Sequence, residues 1–158
     1  MILMTPIRAI AAFIAVLLVC ASALAQENAV VLSPGVKFGY AFGDHPGFLM
    51  GLEVSLVKWP DIGRSYYAGA LLSVERIGPV TKIHLGAEGG GIAGISLGPS
   101  VLFKEGEHDF GVTVTAYALG IVIPYMSTTH CFTFDSINEA GSYVKMPIFL
   151  KGSLDNAY

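Results

Sequence analysis

The chain has 158 residues, which is enough for one domain. Hydrophobic residues make up 53% of it and charged residues only 13%, whereas an average globular domain is about 25% charged. The formal net charge is −3, and the few basic residues exclude an electrostatic footprint for nucleic acid. Such an apolar composition is typical of membrane proteins, yet only the N-terminal segment is apolar enough to be considered a helical span.

Residues 1–25 are predicted to be a cleavable secretory signal peptide. Residues 9–19 form its short apolar core, an arginine precedes them, and residues 23–25 are a small-x-small cleavage site. One alternative is a transmembrane anchor, for which the apolar run is short. Another is a lipoprotein signal ending at Cys20, which the preceding valine disfavours. Cleavage leaves Cys131 as the only cysteine, so we expect no internal disulfide in the mature chain.

The mature chain alternates apolar and polar residues. We expect residues 26–34 to be a short linker and residues 35–158 to be a β-barrel domain. Successive side chains of a strand point to opposite faces, and residues 48–59 follow this pattern closely. Their second face carries Glu53, and their first face is entirely apolar. This apolar face consists of Phe48, Met50, Leu52, Val54 and Leu56.

About eight alternating runs are separated by turn signals, and no helical period follows the signal peptide. Turns or loops are expected at 44–47, 60–63, 78–79, 89–91, 104–109, 124–126 and 135–142. Pro99 lies inside the fifth run and predicts a bulge or an irregular edge there. The seventh run, 127–134, is polar and weakly patterned, and the eighth covers 144–151. Regular short strands of even number predict an all-β, antiparallel up-and-down barrel.

The two faces differ in composition, which predicts their orientation. The polar faces are rich in Gly, Ser, Thr and Ala, so they would be a poor water-exposed surface but suit the interior of a narrow barrel. We therefore expect the apolar faces to contact lipid and the polar faces to line a lumen, where charges of both signs can pair. Glu53 is expected to lie opposite Lys37 or Lys82. The candidate lumen charge network consists of Lys37, Glu53, Glu75, Lys82, His84, Glu88 and Lys145.

Aromatic residues recur where the predicted strands meet their connections. This placement is typical of the interfacial girdles of outer-membrane barrels, although aromatic residues are also common in strands generally. The four groups are Phe42 with Phe48; Trp59 with Tyr66 and Tyr67; Phe103 with Phe110; and Phe132 with Phe134 and Tyr143.

A signal peptide followed by eight alternating strands resembles the small outer-membrane β-barrels of the OmpA transmembrane-domain and opacity-protein kind. The resemblance covers the whole mature chain but rests on pattern alone. It implies a transmembrane barrel in the outer membrane of a Gram-negative-type cell, with membrane lipid and the barrel-assembly machinery as partners. Two features depart from these families. Every loop is short, and Asn156 interrupts the alternation that ends at the aromatic Tyr158.

No motif identifies a specific activity, and no catalytic residue, cofactor, metal site, nucleic-acid partner or protein partner is predicted. The histidines lack metal-ligand spacing, and residues 89–91 are not a phosphate loop, because no helix with Lys-Ser/Thr follows. We interpret Lys82, His84 and Glu88 as a structural ion-pair ladder rather than a catalytic or proton-handling group. His130 and Cys131 are adjacent, so they should point to opposite faces.

The main hypothesis is therefore a non-enzymatic barrel with a structural or unassigned role and a lumen filled by side chains, not an open pore. Two alternatives remain. The first is a lipid-modifying hydrolase, since some eight-stranded outer-membrane barrels use His with Ser and an acid, although no matching His-x-Ser motif is present. The second is a soluble periplasmic lipocalin-like binder, in which the two faces would be inverted.

Overall fold

The computed structural model describes residues 29–43, 45–59, 66–118 and 122–151. The predicted signal peptide lies outside these ranges. Within them, the structure contains no helix that is long and apolar enough to cross a membrane. The strands are β1 (Ala29–Phe42), β2 (Gly47–Trp59), β3 (Tyr67–Ile77), β4 (Val80–Gly90), β5 (Ala93–Lys104), β6 (Glu107–Ala118), β7 (Val122–Cys131), β8 (Ile137–Lys145) and β9 (Ile148–Lys151).

The strands form one closed antiparallel barrel. Neighbours pair in chain order from β2 to β8, and β1 pairs with both β2 and β8, which closes the sheet. The predicted all-β, eight-stranded up-and-down barrel is thus confirmed, with the short β9 as an additional strand. We call the end of the barrel at which β1 begins the proximal end and the opposite end the distal end.

β8 and β9 together occupy one position beside β1. Their partners on β1 follow a single register across the gap between them. Within the gap, the Met146 N–H donates to the carbonyl oxygen of Pro34 at 2.9 Å. Pro34 and Pro147 have no N–H to donate, which explains why the ladder stops and then resumes. The predicted eighth run is therefore one strand direction interrupted at a proline.

The register of the strands fixes the tilt and width of the barrel. A path of paired residues around the barrel leaves β1 at Leu32 and returns to it at Phe42, ten residues further along. With a rise of about 3.3 Å per residue and a strand spacing of about 4.8 Å, this stagger gives a tilt of about 40° and a backbone radius of about 8 Å. The path passes through Leu32, Leu56, Ala70, Ala87, Leu97, Val114, Thr128, Asn138 and Phe42.

Several strand boundaries near the N-terminus and in the middle of the chain differ from the prediction. β1 includes residues 29–34, which were expected to be a linker. β4 extends to Gly90, so the predicted break at 89–91 comes one or two residues later. Residues 104–109 are not a charged loop, because β5 and β6 continue to a tight turn at Glu105 and Gly106, both with positive φ. Pro99 removes nearby pairs between β4 and β5 without shifting the register, so no bulge forms.

The prediction was wrong about two segments after β6. Residues 124–126 were expected to be a turn, but they lie inside β7, where Pro124 is exposed and close to the start of the strand. Residues 137–142 of the expected loop belong to β8. Gly141 there faces its partner strand so closely that a Cβ would collide with the carbonyl oxygen of Phe38. Gly141, a residue type common in turns, thus meets a steric need of the sheet.

The orientation of the two strand faces is as predicted for β2. Leu52 is 65% exposed on the outside of the barrel, whereas Glu53 is 3% exposed and points inward. Phe48, Met50 and Val54 share the outer face with Leu52. β2 thus turns its polar face toward the interior and its apolar face outward.

Candidate functional site: the polar lumen and the outer surface

The interior of the barrel has three layers. An apolar cluster fills the distal end, a second cluster rich in tyrosine fills the proximal end, and the charged side chains lie between them. The distal cluster consists of Ala41, Leu49, Ile77, Val80, Leu102, Cys131 and Ile137, with Phe134 packed against it. The proximal cluster consists of Val31, Val57, Tyr67, Tyr117, Ile123, Tyr125 and Tyr143, with Trp59 packed against it.

Two lysines and two glutamates form a closed ring of ion pairs, which we call the charge ring. Lys37 Nζ lies 2.8 Å from Glu75 and 3.3 Å from Glu139. Lys82 Nζ contacts the same two carboxylates, at 2.9 Å from Glu75 and in a short contact with Glu139. The Glu75–Lys82 contact lacks the angles of a hydrogen bond but has the distance of an ion pair. All four side chains are buried, and their formal charges cancel.

Lys37 is also held by an aromatic ring of the proximal cluster. Its Nζ lies 4.3 Å from the centre of the Tyr125 ring, a cation–π distance. Gly39 makes this arrangement possible, because a Cβ at that position would lie 2.8 Å from the Tyr125 hydroxyl. The glycine of β1 therefore provides the space into which the tyrosine of β7 fits.

A second charged group lies nearer the proximal end. Lys145 forms an ion pair with Glu53, donates to Ser55 at 2.8 Å, and lies 4.0 Å from Glu88. Glu88 accepts a hydrogen bond from the Tyr117 hydroxyl at 3.1 Å. Its other carboxylate oxygen has no hydrogen-bond partner in the described part of the chain. This group has two carboxylates and one ammonium, so its formal charge is −1.

A chain of hydroxyl groups connects His84 with the charge ring. His84 Nδ1 lies 3.1 Å from Ser100 Oγ, which lies 2.6 Å from Thr113 Oγ1. Thr113 lies 2.8 Å from Thr129, which accepts from Lys82 at 3.4 Å. A serine beside a histidine can act as a nucleophile–base pair. Here Ser100 is 1% and His84 3% exposed, so the barrel wall encloses the pair. Its hydrogen bonds connect strands of the barrel on the inside.

The structure places all seven predicted network residues in the interior, with Lys145 slightly exposed. Glu53 pairs with Lys145 rather than with Lys37 or Lys82. The tilt of the strands puts Glu53 closer to the proximal end than Lys82, and Lys37 pairs with Glu75 and Glu139 instead. The remaining predicted residues are in the ring, in the second group or beside them.

Glu139 is the ring member that sequence reasoning missed, because residues 135–142 were assigned to a loop. Its signal is present in the sequence. Every second residue counted back from Lys145, which the prediction placed on the inward face, reaches Tyr143, Gly141, Glu139 and Ile137, and these positions line the interior. The prediction gave more weight to the turn-forming residues of this segment than to its alternation.

Asp109 was also missed, because it belonged to the expected charged loop. Its carboxylate accepts hydrogen bonds from the backbone N–H groups of Phe110, Thr133 and Phe134, at 2.8, 2.8 and 2.6 Å. These bonds tie the distal end of β6 to the connection between β7 and β8. They also seat Phe134 on the distal apolar cluster.

A cleft of about 360 Å³ opens among the connections at the distal end. Its lining mixes both signs of charge. In the residues that the structure describes, no group of three or more His, Cys, Asp or Glu side chains could hold a metal ion. The lining residues are His45, Lys104, Glu105, Glu107, Thr133, Phe134 and Asp135.

One serine–histidine contact lies on the outer surface. His130 points outward from β7, and its Nδ1 lies 3.1 Å from Ser136 Oγ in the connection to β8. Cys131 points inward to the distal cluster, so the two adjacent residues face opposite sides, as predicted. The six-residue spacing between His130 and Ser136 matches no motif considered in the sequence, which is why the pair was missed.

The outside of the barrel carries a ring of phenylalanines near the distal end. With the tilt given above, each residue along a strand rises about 2.5 Å and each step to the next strand about 3 Å. On this scale, the heights of five exposed phenylalanines along the barrel axis differ by at most about 6 Å. We call them the phenylalanine belt: Phe42, Phe48, Phe103, Phe110 and Phe132, all exposed.

A band of apolar side chains covers the outside below the belt. Over about 20 Å of height between the levels of Leu56 and Arg76, the outward positions of the described strands carry no Asp, Glu, Lys or Arg. Fifteen apolar side chains of this band are 37–71% exposed. They are Val36, Phe38, Met50, Leu52, Val54, Leu72, Val74, Ile83, Ile95, Leu97, Val112, Val114, Val122, Met126 and Val144.

The predicted aromatic groups divide between the two sides of the barrel wall. The belt contains the first and third groups and one member of the fourth. Tyr67 and Tyr143 instead belong to the proximal interior cluster, and Trp59 and Phe134 are partly buried against the two interior clusters. Alternation along the strand determines whether an aromatic side chain points inward or outward. Its distance from a turn does not indicate this.

No protein-family model, curated protein or solved structure matches this chain. The resemblance to small outer-membrane barrels thus remains one of strand number and alternation. The inner and outer surfaces of the barrel are therefore the features that bear on its function.

Proposed function

We propose that this chain is an integral outer-membrane β-barrel protein with a structural role, whose narrow lumen is filled by side chains. The charge-free band of outward side chains carries this proposal. Soluble monomers rarely expose a continuous apolar surface of such size, and water cannot stabilise it. A bilayer can, because outer-membrane barrels present an apolar strip about 25 Å tall, bordered by aromatic residues.

The interior supports the absence of an open pore. A backbone radius of about 8 Å leaves room only for the side chains themselves. Apolar clusters fill both ends, and the charge ring fills the middle. A soluble lipocalin-like barrel would need the opposite arrangement, with its apolar faces inside. A large and stable conductance in planar-bilayer recordings would refute the filled lumen.

The location is proposed from the barrel together with the predicted export signal. A chain exported across the inner membrane of a Gram-negative-type cell reaches the compartment from which outer-membrane barrels insert. Membrane lipid and the barrel-assembly machinery are then the expected partners.

The test is a heat-modifiability gel on fractionated cells. A folded barrel should be recovered in the outer-membrane fraction and migrate differently before and after boiling. The boiled portion of the same sample is the matched control. Recovery in the soluble fraction without detergent, together with unchanged migration, would contradict the proposal.

The contact between His130 and Ser136 favours a second candidate, a hydrolase that acts on membrane lipid. In this reaction the Ser136 hydroxyl would attack the ester carbonyl of a lipid acyl chain while His130 takes up its proton. The ester C–O bond would then break, and the lipid alcohol would leave with that proton from His130. The acyl-serine would then be hydrolysed by water, which restores both groups. The pair lies at the level of the phenylalanine belt, where the ester groups of a bilayer would be.

Mass spectrometry of membrane lipids tests the second candidate. Cells expressing the wild-type chain would be compared with cells expressing Ser136→Ala, with Thr133→Ala as a control in the same connection. Loss of acyl chains only in the presence of Ser136 would support it. Identical lipid profiles in all strains would end it and leave the first proposal untouched.

A further inference from the structure

Arg76 is an exposed cation on the outer face of β3, at the lower edge of the phenylalanine belt. Glu75 before it and Ile77 after it point inward, so alternation places Arg76 outside. Its partner in the register of β2 is Met50, which is 59% exposed. The cation is thus set into the upper edge of the apolar band.

Two hydrogen bonds hold the guanidinium in place. Nε donates to the carbonyl oxygen of Gly78 at 2.7 Å, and Nη1 donates to Thr81 Oγ1 at 3.2 Å. Both acceptors belong to the tight turn between β3 and β4 and its edge. A guanidinium has further N–H donors in a fixed fork, and these remain for a ligand.

Among the described residues, Arg76 has no carboxylate to balance its charge. In the ranges that the structure describes, no Asp or Glu lies within ion-pair distance of Arg76. The neighbouring Glu75 points into the barrel, where it forms ion pairs with Lys37 and Lys82. A cation beside apolar surface is stabilised by an anion that reaches the same level.

We propose that Arg76 binds the phosphate of an anionic lipid headgroup, with the lipid chain lying along Met50 and Val74. The inference rests on the proposed membrane location. A planar guanidinium matches a phosphate with two parallel hydrogen bonds, and its anchoring to the turn reduces the freedom lost on binding. The belt around it marks the level at which headgroups meet acyl chains.

Native mass spectrometry of the folded protein tests the site. The full mature chain is released from micelles that contain equal amounts of phosphatidylglycerol and phosphatidylcholine. We expect wild type to retain phosphatidylglycerol in about fivefold excess and Arg76→Gln to lose this preference. Thr81→Val, which removes one anchor of the guanidinium, should reduce it partly. Lys104→Gln, a cation at the same end of the barrel, should leave it unchanged.

Two further arms separate the possible outcomes. If Arg76→Gln lowers the binding of inorganic phosphate but leaves retention of phosphatidylglycerol unchanged, the site binds phosphate alone, and a lipid site is overturned. If Arg76→Gln is folded by its heat-modifiable migration yet keeps the preference, the inference is wrong and the membrane proposal stands. If no variant inserts into phosphatidylcholine vesicles, the membrane proposal itself fails, and the inference fails with it.

Discussion

Neutralising Glu139 should destabilise the barrel strongly, because this carboxylate pairs with both lysines of the charge ring. Glu139→Gln keeps the size of the side chain but removes one of the two negative charges of the charge ring. Lys37 and Lys82 then share Glu75 alone, which leaves one buried positive charge without a partner. Removing one partner of a buried ion pair typically lowers the free energy of unfolding by about 3–5 kcal/mol.

Glu88→Gln is the matched control for this prediction. It makes the same chemical change in the same lumen, but in the group that has one carboxylate in excess. Glu53 remains to balance Lys145, and the new amide can still accept from Tyr117. We therefore expect the free energy of unfolding to change by less than about 1 kcal/mol.

Both variants can be measured by denaturant unfolding in detergent micelles, followed by the fluorescence of Trp59, the only tryptophan. A second change, Lys37→Met in the Glu139→Gln background, removes the unpaired charge and should recover part of the loss, as a coupled pair requires. If Glu139→Gln is no more destabilised than Glu88→Gln, the charge balance of the ring does not stabilise the barrel.

Three other variants test separate features. Leu52→Arg places a charge in the middle of the apolar band and should impair insertion by about 2–4 kcal/mol, whereas Leu52→Met should insert normally; equal insertion of both in a vesicle-folding assay would contradict a lipid-facing position. Gly39→Ala puts a Cβ in collision with the backbone carbonyl oxygen of Ala140 and 2.8 Å from the Tyr125 hydroxyl, so it should lower the free energy of unfolding by about 1–3 kcal/mol, and an unchanged unfolding midpoint would contradict it. Asp109→Asn replaces one of the two carboxylate oxygens that accept from three backbone N–H groups with an NH2 donor, so the connection after β7 should become more sensitive to protease while the barrel stays folded; equal cleavage rates of the variant and wild type would show that these hydrogen bonds do not hold the connection.

The strand faces could be predicted because a barrel wall has a strict period of two. Lys37, Glu53, Lys82 and Glu88 lie on uninterrupted alternating runs, and all of them are inside. The same rule applied to Ile137–Lys145 would have found Glu139. There, glycine and serine were interpreted as loop residues, although Gly141 is required by the close approach of β1.

The partners of these charges could not be predicted in the same way. Alternation tells which side of the wall a residue is on, but not its height along the barrel axis. Height depends on the stagger of the strands, which shifts the path around the barrel by ten residues. That shift explains why Glu53 meets Lys145 rather than Lys82, and why the scattered phenylalanines form one belt.

Thiol reactivity at two positions of β2 tests the orientation and the environment of the barrel most directly. Leu52→Cys and Ser55→Cys would each be made in a Cys131→Ser background and folded into vesicles, because Leu52 points outward and Ser55 is 1% exposed inside. We predict that the cysteine at position 52 reacts with a membrane-soluble maleimide but not with a charged, water-soluble one, and that the cysteine at position 55 reacts with neither. Rapid reaction of position 52 with the water-soluble reagent would contradict a barrel whose apolar face is covered by lipid.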